Sequence, residues 1–359
     1  MTPPALTGHL LRVIVGTMAG SILVTAVALL APAAAIAAPA ATWPPATMVS
    51  AAPAAALLAA PAADASRPAA ASGAADQRLG RPRGQAGPGP RGVSARGAEL
   101  AAAASGQRLW GRAENVRRPM ASITKVMTAL VVIAAGRPDR QIRISAAVPA
   151  YVRRNDAGSA GLRVGDILTA RQLLEAMLLP SGCDAAYALA TAYGPGWRAF
   201  VAKMNATAGK MGLRSTHFAN FDGLPWPTGW STYSTPRDLV VLGRAAMRHA
   251  IFRRIVRQRS YYLAGSRQHH AYLWRTTNLL LSSYRGAIGI KTGWIDQAGY
   301  CLLFEASRGG RTLIGVVLDA STTNPDARFT AAARVLDWGF GTASGRLRLR
   351  PLAPGSYQD

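Results

Sequence analysis

At 359 residues the chain has room for one large domain or two small ones, and its 50% hydrophobic content is inflated by alanine in the N-terminal third. A formal net charge of +24 points to an anionic environment, whether nucleic acid, acidic lipid or anionic cell-wall polymer. The arginines are spread along the chain rather than gathered into a basic stripe with stacking aromatics, which argues against nucleic acid, and two cysteines exclude a disulfide-rich framework.

Residues 1 to 12 are mostly polar or small, and Val13 to Ala31 carries no charge. Pro32 and an alanine-rich stretch around Ala35 and Ala37 follow, the layout of a secretory signal over 1–38. The apolar run is also long enough to span a bilayer, so an uncleaved anchor is the alternative. Residues 39–94 are rich in Ala, Pro, Gly and Arg, with almost no large apolar side chain after Ala59. They read as a disordered spacer, because too little surface can be buried to offset the entropy of ordering.

Order is expected from about residue 95. Ala98–Ala103 and Arg108–Trp110 read as two short strands around a turn at Ser105-Gly106-Gln107. In Pro119-Met120-Ala121-Ser122-Ile123-Thr124-Lys125, the apolar positions Ile123, Val126, Met127, Leu130, Val131 and Ile133 recur at helical spacing. A buried helix starting at Ser122 is predicted. Thr169 can cap a helix bearing Leu173, Leu174, Met177 and Leu178, which stops at Pro180. Ser181-Gly182-Cys183 then lies on a turn before a helix over Asp184–Ala192, and a further helix covers about 196–211. His217–Pro227 is loop-like. Thr235-Pro236-Arg237-Asp238 reads as a capping box opening a helix to about His249. Ala287–Trp294 reads as a strand, and 300–306 with 312–318 as a hairpin turned at Arg308-Gly309-Gly310. Asn324 is expected to cap a last helix with Phe329, Ala332, Val335, Leu336 and Trp338 on its apolar side. Strands, then helices, then adjacent strands and a closing helix give an α+β class: an antiparallel sheet flanked by helices, with a helical subdomain. Cys183 and Cys301 sit in apolar contexts and are expected as two buried thiols.

Chemistry concentrates at three places. Residues three apart on a helix share a face, so the Lys125 amine can reach the Ser122 hydroxyl. A serine hydroxyl is a poor nucleophile until a neighbouring base takes its proton, and a buried lysine can serve as that base. Backbone N–H groups at the helix start surround the atom where negative charge would develop. Ser181-Gly182-Cys183 and Lys291-Thr292-Gly293 follow in order, and S-x-x-K, a serine triplet and K-T-G together form a known serine-enzyme signature. Only four of the 41 basic residues are lysines (Lys125, Lys203, Lys210 and Lys291), and two of these lie in the motifs. Arginine cannot shed its proton in a protein, so lysine stands where its chemistry is needed.

With these motifs, residues 95–342 resemble the low-molecular-mass penicillin-binding proteins that are D-alanyl-D-alanine carboxypeptidases. Leu178-Leu179-Pro180, Phe218-Ala219-Asn220 with Gly223-Leu224, Ala298–Leu302 and Trp338-Gly339-Phe340 are further matches. The resemblance implies a β-lactamase/DD-peptidase fold and an acyl-enzyme on Ser122, with Lys125 as base. Ser181 would relay a proton with Lys291 nearby, and the N–H groups of Ser122 and Trp294, the latter following Gly293, would form the oxyanion hole. Thr292 and Arg328 would bind the terminal carboxylate of a peptidoglycan stem peptide ending in D-Ala-D-Ala. Neither metal nor other cofactor is required, β-lactams are expected as covalent inhibitors, and the enzyme is expected as a monomer outside the cytoplasm, associated with the wall or membrane. Cys183 departs from the usual asparagine of the second motif and loses an amide that could bind substrate, so altered efficiency is expected. Residues 343–359 read as a short basic tail.

Other readings stay open: a DD-transpeptidase, an esterase, a β-lactamase, or a non-catalytic wall-binding protein. The common β-lactamase class needs a glutamate between the second and third motifs, and none occurs between Cys183 and Lys291. His269-His270 could suggest a metal, but no acidic residue or cysteine is near them in sequence.

Overall fold

The structure, a computed structural model, describes residues 89–343 and 345–350. The signal segment and residues 39–88 of the spacer lie outside the described residues. In chain order, β1 (Gly97–Ala102) and β2 (Arg108–Arg112) form a hairpin, and β3 (Arg118–Pro119) leads into a 3-10 turn, Ala121–Thr124, continued by α1 (Lys125–Ala134). A helical region follows: β4 (Gln141–Arg143), α2 (Ala147–Asn155), β5 (Ile167–Thr169), α3 (Ala170–Leu178), α4 (Cys183–Tyr193) and α5 (Trp197–Lys210). The chain returns through β6 (Tyr233–Ser234), α6 (Pro236–Met247), α7 (Ala250–Val256), the hairpin β7 (Ser260–Leu263) and β8 (Tyr272–Arg275), and α8 (Leu280–Ser283). It closes with β9 (Ala287–Gly293), β10 (Cys301–Arg308), β11 (Arg311–Leu318) and α9 (Ala327–Phe340).

The main sheet has the order β2-β1-β11-β10-β9, with every neighbouring pair antiparallel. Successive side chains on a strand point to opposite faces, so a strand buried on both sides reads as a continuous apolar run. On β10, Leu302, Phe304 and Ala306 join a core shared with Phe329, Val335 and Leu336 of α9. Cys301 and Leu303 face the larger core built from α1, α3, α4 and α6. The sheet is therefore a wall between two apolar layers, and the α+β expectation holds.

Several local expectations shift. Ser122 sits in the 3-10 turn, and the α-helix starts only at Lys125. Thr169 caps α3 through a reciprocal box with Gln172. At α6 the box is half made: Thr235 accepts from the Asp238 N–H, but the Asp238 carboxylate turns away to Ser215 N and Thr216 Oγ1. Asn324 does not cap α9; its Oδ1 accepts from the N–H of Asp326, which is the N-cap residue. Cys183 opens α4 instead of preceding it. The spacer's last residues are packed against the domain: Val93 is buried, Arg112 Nη1 donates to Val93 O at 2.5 Å, and Arg334 binds Gly92 O. Both cysteines are free and buried. Among the described residues no helix is long and apolar enough to cross a membrane.

Three buried glutamates sit in these layers: Glu99 on β1, Glu175 on α3 and Glu305 on β10. Burial pushes each carboxyl up to about 7. For Glu305 the opposing pull is the charge of Arg253. A carboxyl whose folded-state pKa lies above its unfolded value binds its proton more tightly when folded, so stability falls as pH rises from about 4.5 to about 7 and stays level above. Glu305→Gln is expected to flatten that part of the pH–stability curve and to raise the melting temperature at pH 8 but not at pH 4. Thermal melts across this range check it.

Candidate active site

The site forms where the 3-10 turn, the start of α4, the 220–226 loop and the end of β9 meet. In a 3-10 turn side chains three apart nearly eclipse, which brings Lys125 over Ser122 more directly than a regular helix would. Lys125 Nζ lies 2.8 Å from Ser122 Oγ. From Met120 to Leu130 every residue but Ser122 is buried, so the serine keeps some contact with solvent while the Lys125 amine behind it is sealed from water. The same amine is 3.5 Å from Ser181 Oγ, 3.3 Å from Cys183 Sγ and 3.3 Å from the backbone oxygen of Asp222. The first two motifs thus converge on one nitrogen.

Backbone conformation at these positions is unusual. Ala121 and Ser181 adopt φ of 48° and 67°, a left-handed region that costs energy for residues with a Cβ. At Ser181 this turn aims the hydroxyl at Lys125 before α4 begins. Asp184, in the first turn of that helix, accepts from Ser159 Oγ (2.6 Å), Ala160 N (3.0 Å) and Leu162 N (3.2 Å), tying the 159–162 segment to the base of the site.

The third motif arrives on β9. Lys291 and Thr292 are buried, Lys291 Nζ donates to Thr292 O at 3.1 Å, and Thr292 Oγ1 is 2.5 Å from Thr277 Oγ1. Gly293 ends the strand against the turn that bears the serine. A Cβ there would stand 2.9 Å from Met120 O and 3.2 Å from Ser122 N, so only glycine lets the two backbones approach this closely. The N–H groups of Ser122 and of Trp294, the next residue, therefore belong to adjoining segments. Arg328 is buried at the start of α9 with its guanidinium 5.1 Å from the Tyr300 ring centroid, and Tyr300 stacks on Trp294 at 5.8 Å. Arg328 reaches the third motif through this aromatic pair.

Asp222, Tyr151, Asp184 and Thr277 were not singled out by the sequence. Asp222 is fully buried beside Lys125. Its carboxylate accepts from Tyr151 O–H (2.6 Å) and Leu224 N–H (3.2 Å); burial pushes its pKa up, while the Lys125 charge and the Tyr151 hydrogen bond oppose this. Burial pushes the Cys183 thiol up to about 12, with the Lys125 charge pulling the other way, so Cys183 stays a neutral thiol. The Phe-Asp-Gly-Leu-Pro run was the available signal for Asp222, but a loop string does not say which lysine it will meet 97 residues away. His270 Nδ1 lies 2.9 Å from Asp166 Oδ1, and Tyr272 donates to the same carboxylate, which fastens β8 to the segment before β5. No group of three or more His, Cys, Asp or Glu among the described residues is placed to hold a metal.

The sequence profile of the family described as D-alanyl-D-alanine carboxypeptidase matches residues 85–322. A protein of that name from Streptomyces sp. strain K15 is 44% identical over 248 residues, covering 66% of this chain and 84% of the relative. D-alanyl-D-alanine carboxypeptidase DacB2 of Mycobacterium tuberculosis is 39% identical over 243 residues, 66% of this chain and 79% of its own length. Among solved structures, the Streptomyces K15 DD-transpeptidase superimposes with a TM-score of 0.65 at 42% identity, covering 69% of this chain and 98% of that one. A D-alanyl-D-alanine carboxypeptidase from Mycobacterium tuberculosis gives 0.63 at 34% identity, covering 74% and 96%.

Proposed function

The chain belongs to the D-alanyl-D-alanine carboxypeptidase family of serine peptidases, and from that premise we propose how its own residues divide the work on a peptidoglycan stem peptide. It is a hydrolase of the cell wall that acts outside the cytoplasm and binds β-lactams. Ser122 Oγ attacks the carbonyl between the two terminal D-alanines and gives its proton to Lys125. The developing oxyanion is met by the N–H groups of Ser122 and Trp294. A proton passes through Ser181 to the leaving amine, D-alanine departs, and water cleaves the ester to restore the serine. Lys291 holds positive charge beside the relay, and Thr292 with Arg328 receives the terminal carboxylate, for which a guanidinium is suited. Cys183 lines the site without an amide to offer the substrate. β-Lactams acylate the same serine. The excess positive charge draws the exported enzyme to anionic wall polymer.

The observation that carries this reading is the position of Lys125 Nζ, buried and within reach of both Ser122 Oγ and Ser181 Oγ. A second reading, transpeptidation, differs only in the acceptor that resolves the acyl-enzyme. The name DD-transpeptidase on the Streptomyces K15 structure favours testing it. The assay follows D-alanine release from a peptide ending in D-Ala-D-Ala, with and without an added amine acceptor, in wild type and Ser122→Ala. Release that needs no acceptor and vanishes with Ser122→Ala supports the carboxypeptidase. Turnover only with the acceptor assigns transpeptidation, and release that persists in Ser122→Ala removes Ser122 from its role.

A further inference from the structure

A second concave site lies away from the catalytic serine, where the chain's last described residues fold back on the segment before β9. Residues 346–350 read Arg-Leu-Arg-Leu-Arg. In an extended segment this alternation sends leucines to one side and arginines to the other. Leu347 and Leu349 are half-buried against the core under α9, while Arg346, Arg348 and Arg350 are exposed. Two hydrogen bonds fix the segment: Ser282 Oγ donates to Arg350 O at 3.0 Å, and Arg350 N donates to Ser283 Oγ at 2.9 Å. The docked segment borders an open concavity of about 650 Å³ whose lining includes Arg346, Arg348, Arg350, Arg259 and Arg285.

Five exposed arginines from three separate stretches therefore line one concavity that no carboxylate lines. Among the described residues none of the five forms an ion pair with an acidic side chain; the arginines that do are others. Like charges gathered around one concavity repel one another, and an anion seated among them would relieve that repulsion. Guanidinium forks suit phosphate oxygens, and a single carboxylate would neutralise only one of the five. Leu347 and Leu349 are half-buried against the core, which leaves the arginines as the charged groups that a polyanion would meet.

We propose that this cavity is a binding site for a soluble polymer bearing repeated phosphates, seated on Arg259, Arg285, Arg346, Arg348 and Arg350. The proposal rests on the extracytoplasmic, wall-directed reading for its biological ligand, and it locates on one face the attraction that net charge alone would spread over the surface. It is independent of the catalytic assignment, so D-alanine release serves as a control.

The test uses the full chain, linear inorganic polyphosphate as probe, and the variants Arg346→Gln/Arg348→Gln/Arg350→Gln and Arg259→Gln/Arg285→Gln. Binding is measured over a range of salt concentrations, together with binding to vesicles of phosphatidylglycerol and of phosphatidylcholine. The triple variant is expected to bind polyphosphate at least about tenfold more weakly, with the slope of log K against log salt reduced by about two to three, each lost contact releasing fewer counterions. The double variant, which leaves the docked segment intact, is expected to weaken binding in the same direction. D-Alanine release should be unchanged in both. Polyphosphate affinity and slope equal to wild type in both variants would overturn the proposal and return the attraction to the whole surface. Loss confined to phosphatidylglycerol vesicles, with polyphosphate binding intact, would overturn it in favour of a lipid headgroup site.

Discussion

Lys125→Arg and Lys125→Met are both expected to lower the rate of Ser122 acylation by about a thousandfold or more, while leaving the protein folded. General-base catalysis contributes roughly 10²–10⁴ to a rate, and this base has no substitute in reach. Lys291 is the other motif lysine, but its amine is engaged with Thr292 on β9. Arginine keeps a positive charge near Ser122 but cannot take the serine's proton, so its failure separates proton transfer from electrostatic attraction. Methionine removes the charge and keeps most of the volume. Lys125 is completely buried and donates to Ser122, Ser181, Cys183 and the Asp222 backbone oxygen, and removing one member of a buried polar network leaves its partners unsatisfied. The expected signature is therefore a cooperative melt for Lys125→Met at a temperature below wild type, with a loss of activity too large for the unfolded fraction to explain. Pre-steady-state acylation by a chromogenic β-lactam and thermal melts check both halves. Acylation within tenfold of wild type in either variant would show that another group takes the proton.

Gly223→Ala is expected to be the most damaging single methyl group near the site. Gly223 has φ of 85°, and a Cβ there would lie 1.9 Å from the backbone oxygen of Ala121 and 2.8 Å from Thr124 Oγ1. Two separate costs arise. The backbone conformation alone costs roughly 1–2 kcal/mol for a residue with a Cβ. The contact with Ala121 cannot be relieved by a rotamer change, because the backbone fixes where the Cβ lies and the oxygen belongs to backbone, so the 220–226 loop must move away from the serine-bearing turn. That loop is rigid by construction: Asn220 Oδ1 accepts from Gly223 N (2.7 Å), and Asn220 Nδ2 donates to Leu224 O (2.9 Å) and Trp226 O (2.8 Å). Moving it withdraws Asp222 O from Lys125 and tilts the turn that carries Ser122. A loss of about 3 kcal/mol or more in stability, with activity down by ~100-fold in the fraction that folds, is expected. Gly212→Ala is the matched control. Gly212 has φ of 73°, but its Cβ would meet nothing within 4 Å, so only the conformational cost remains. Denaturant melts and D-alanine release on both variants check the difference. Equal losses would mean that the steric argument is wrong.

The parts of this molecule that could be read from sequence are those whose cause is local. The Ser122–Lys125 pair depends on a spacing of three, β10 and β11 on apolar runs broken by Gly309-Gly310, and α6 on Thr235 followed by Pro236. The serine-bearing turn was misread as the start of an α-helix because its apolar spacing fits both. The left-handed Ala121 belongs to a turn that Gly223 and Gly293, both distant in sequence, approach more closely than any residue with a Cβ could. Strands such as β3 and β6 are two residues each and exist only because they pair with one another across more than a hundred residues of chain. No propensity marks them. Asn324 looked like a cap because its residue type suits one, yet Asp326 takes the N-cap position without a side-chain bond. Asp222 and Tyr151 share a buried hydrogen bond 71 residues apart, and nothing in either neighbourhood announces it. Arg328 is assigned in the sequence only by the family resemblance. Its link to Trp294 runs through Tyr300, which the sequence places at a strand start and within the Ala298–Leu302 match but not against either residue.

The central claim is that Ser122 becomes covalently acylated. The most direct measurement incubates the full chain with benzylpenicillin, digests it, and locates the added mass by tandem mass spectrometry. The account predicts a single adduct on Ser122 in wild type, no adduct in Ser122→Ala, and little in Lys125→Met at matched times. An adduct on Ser181 or elsewhere, or one that forms equally well in Ser122→Ala, would contradict it.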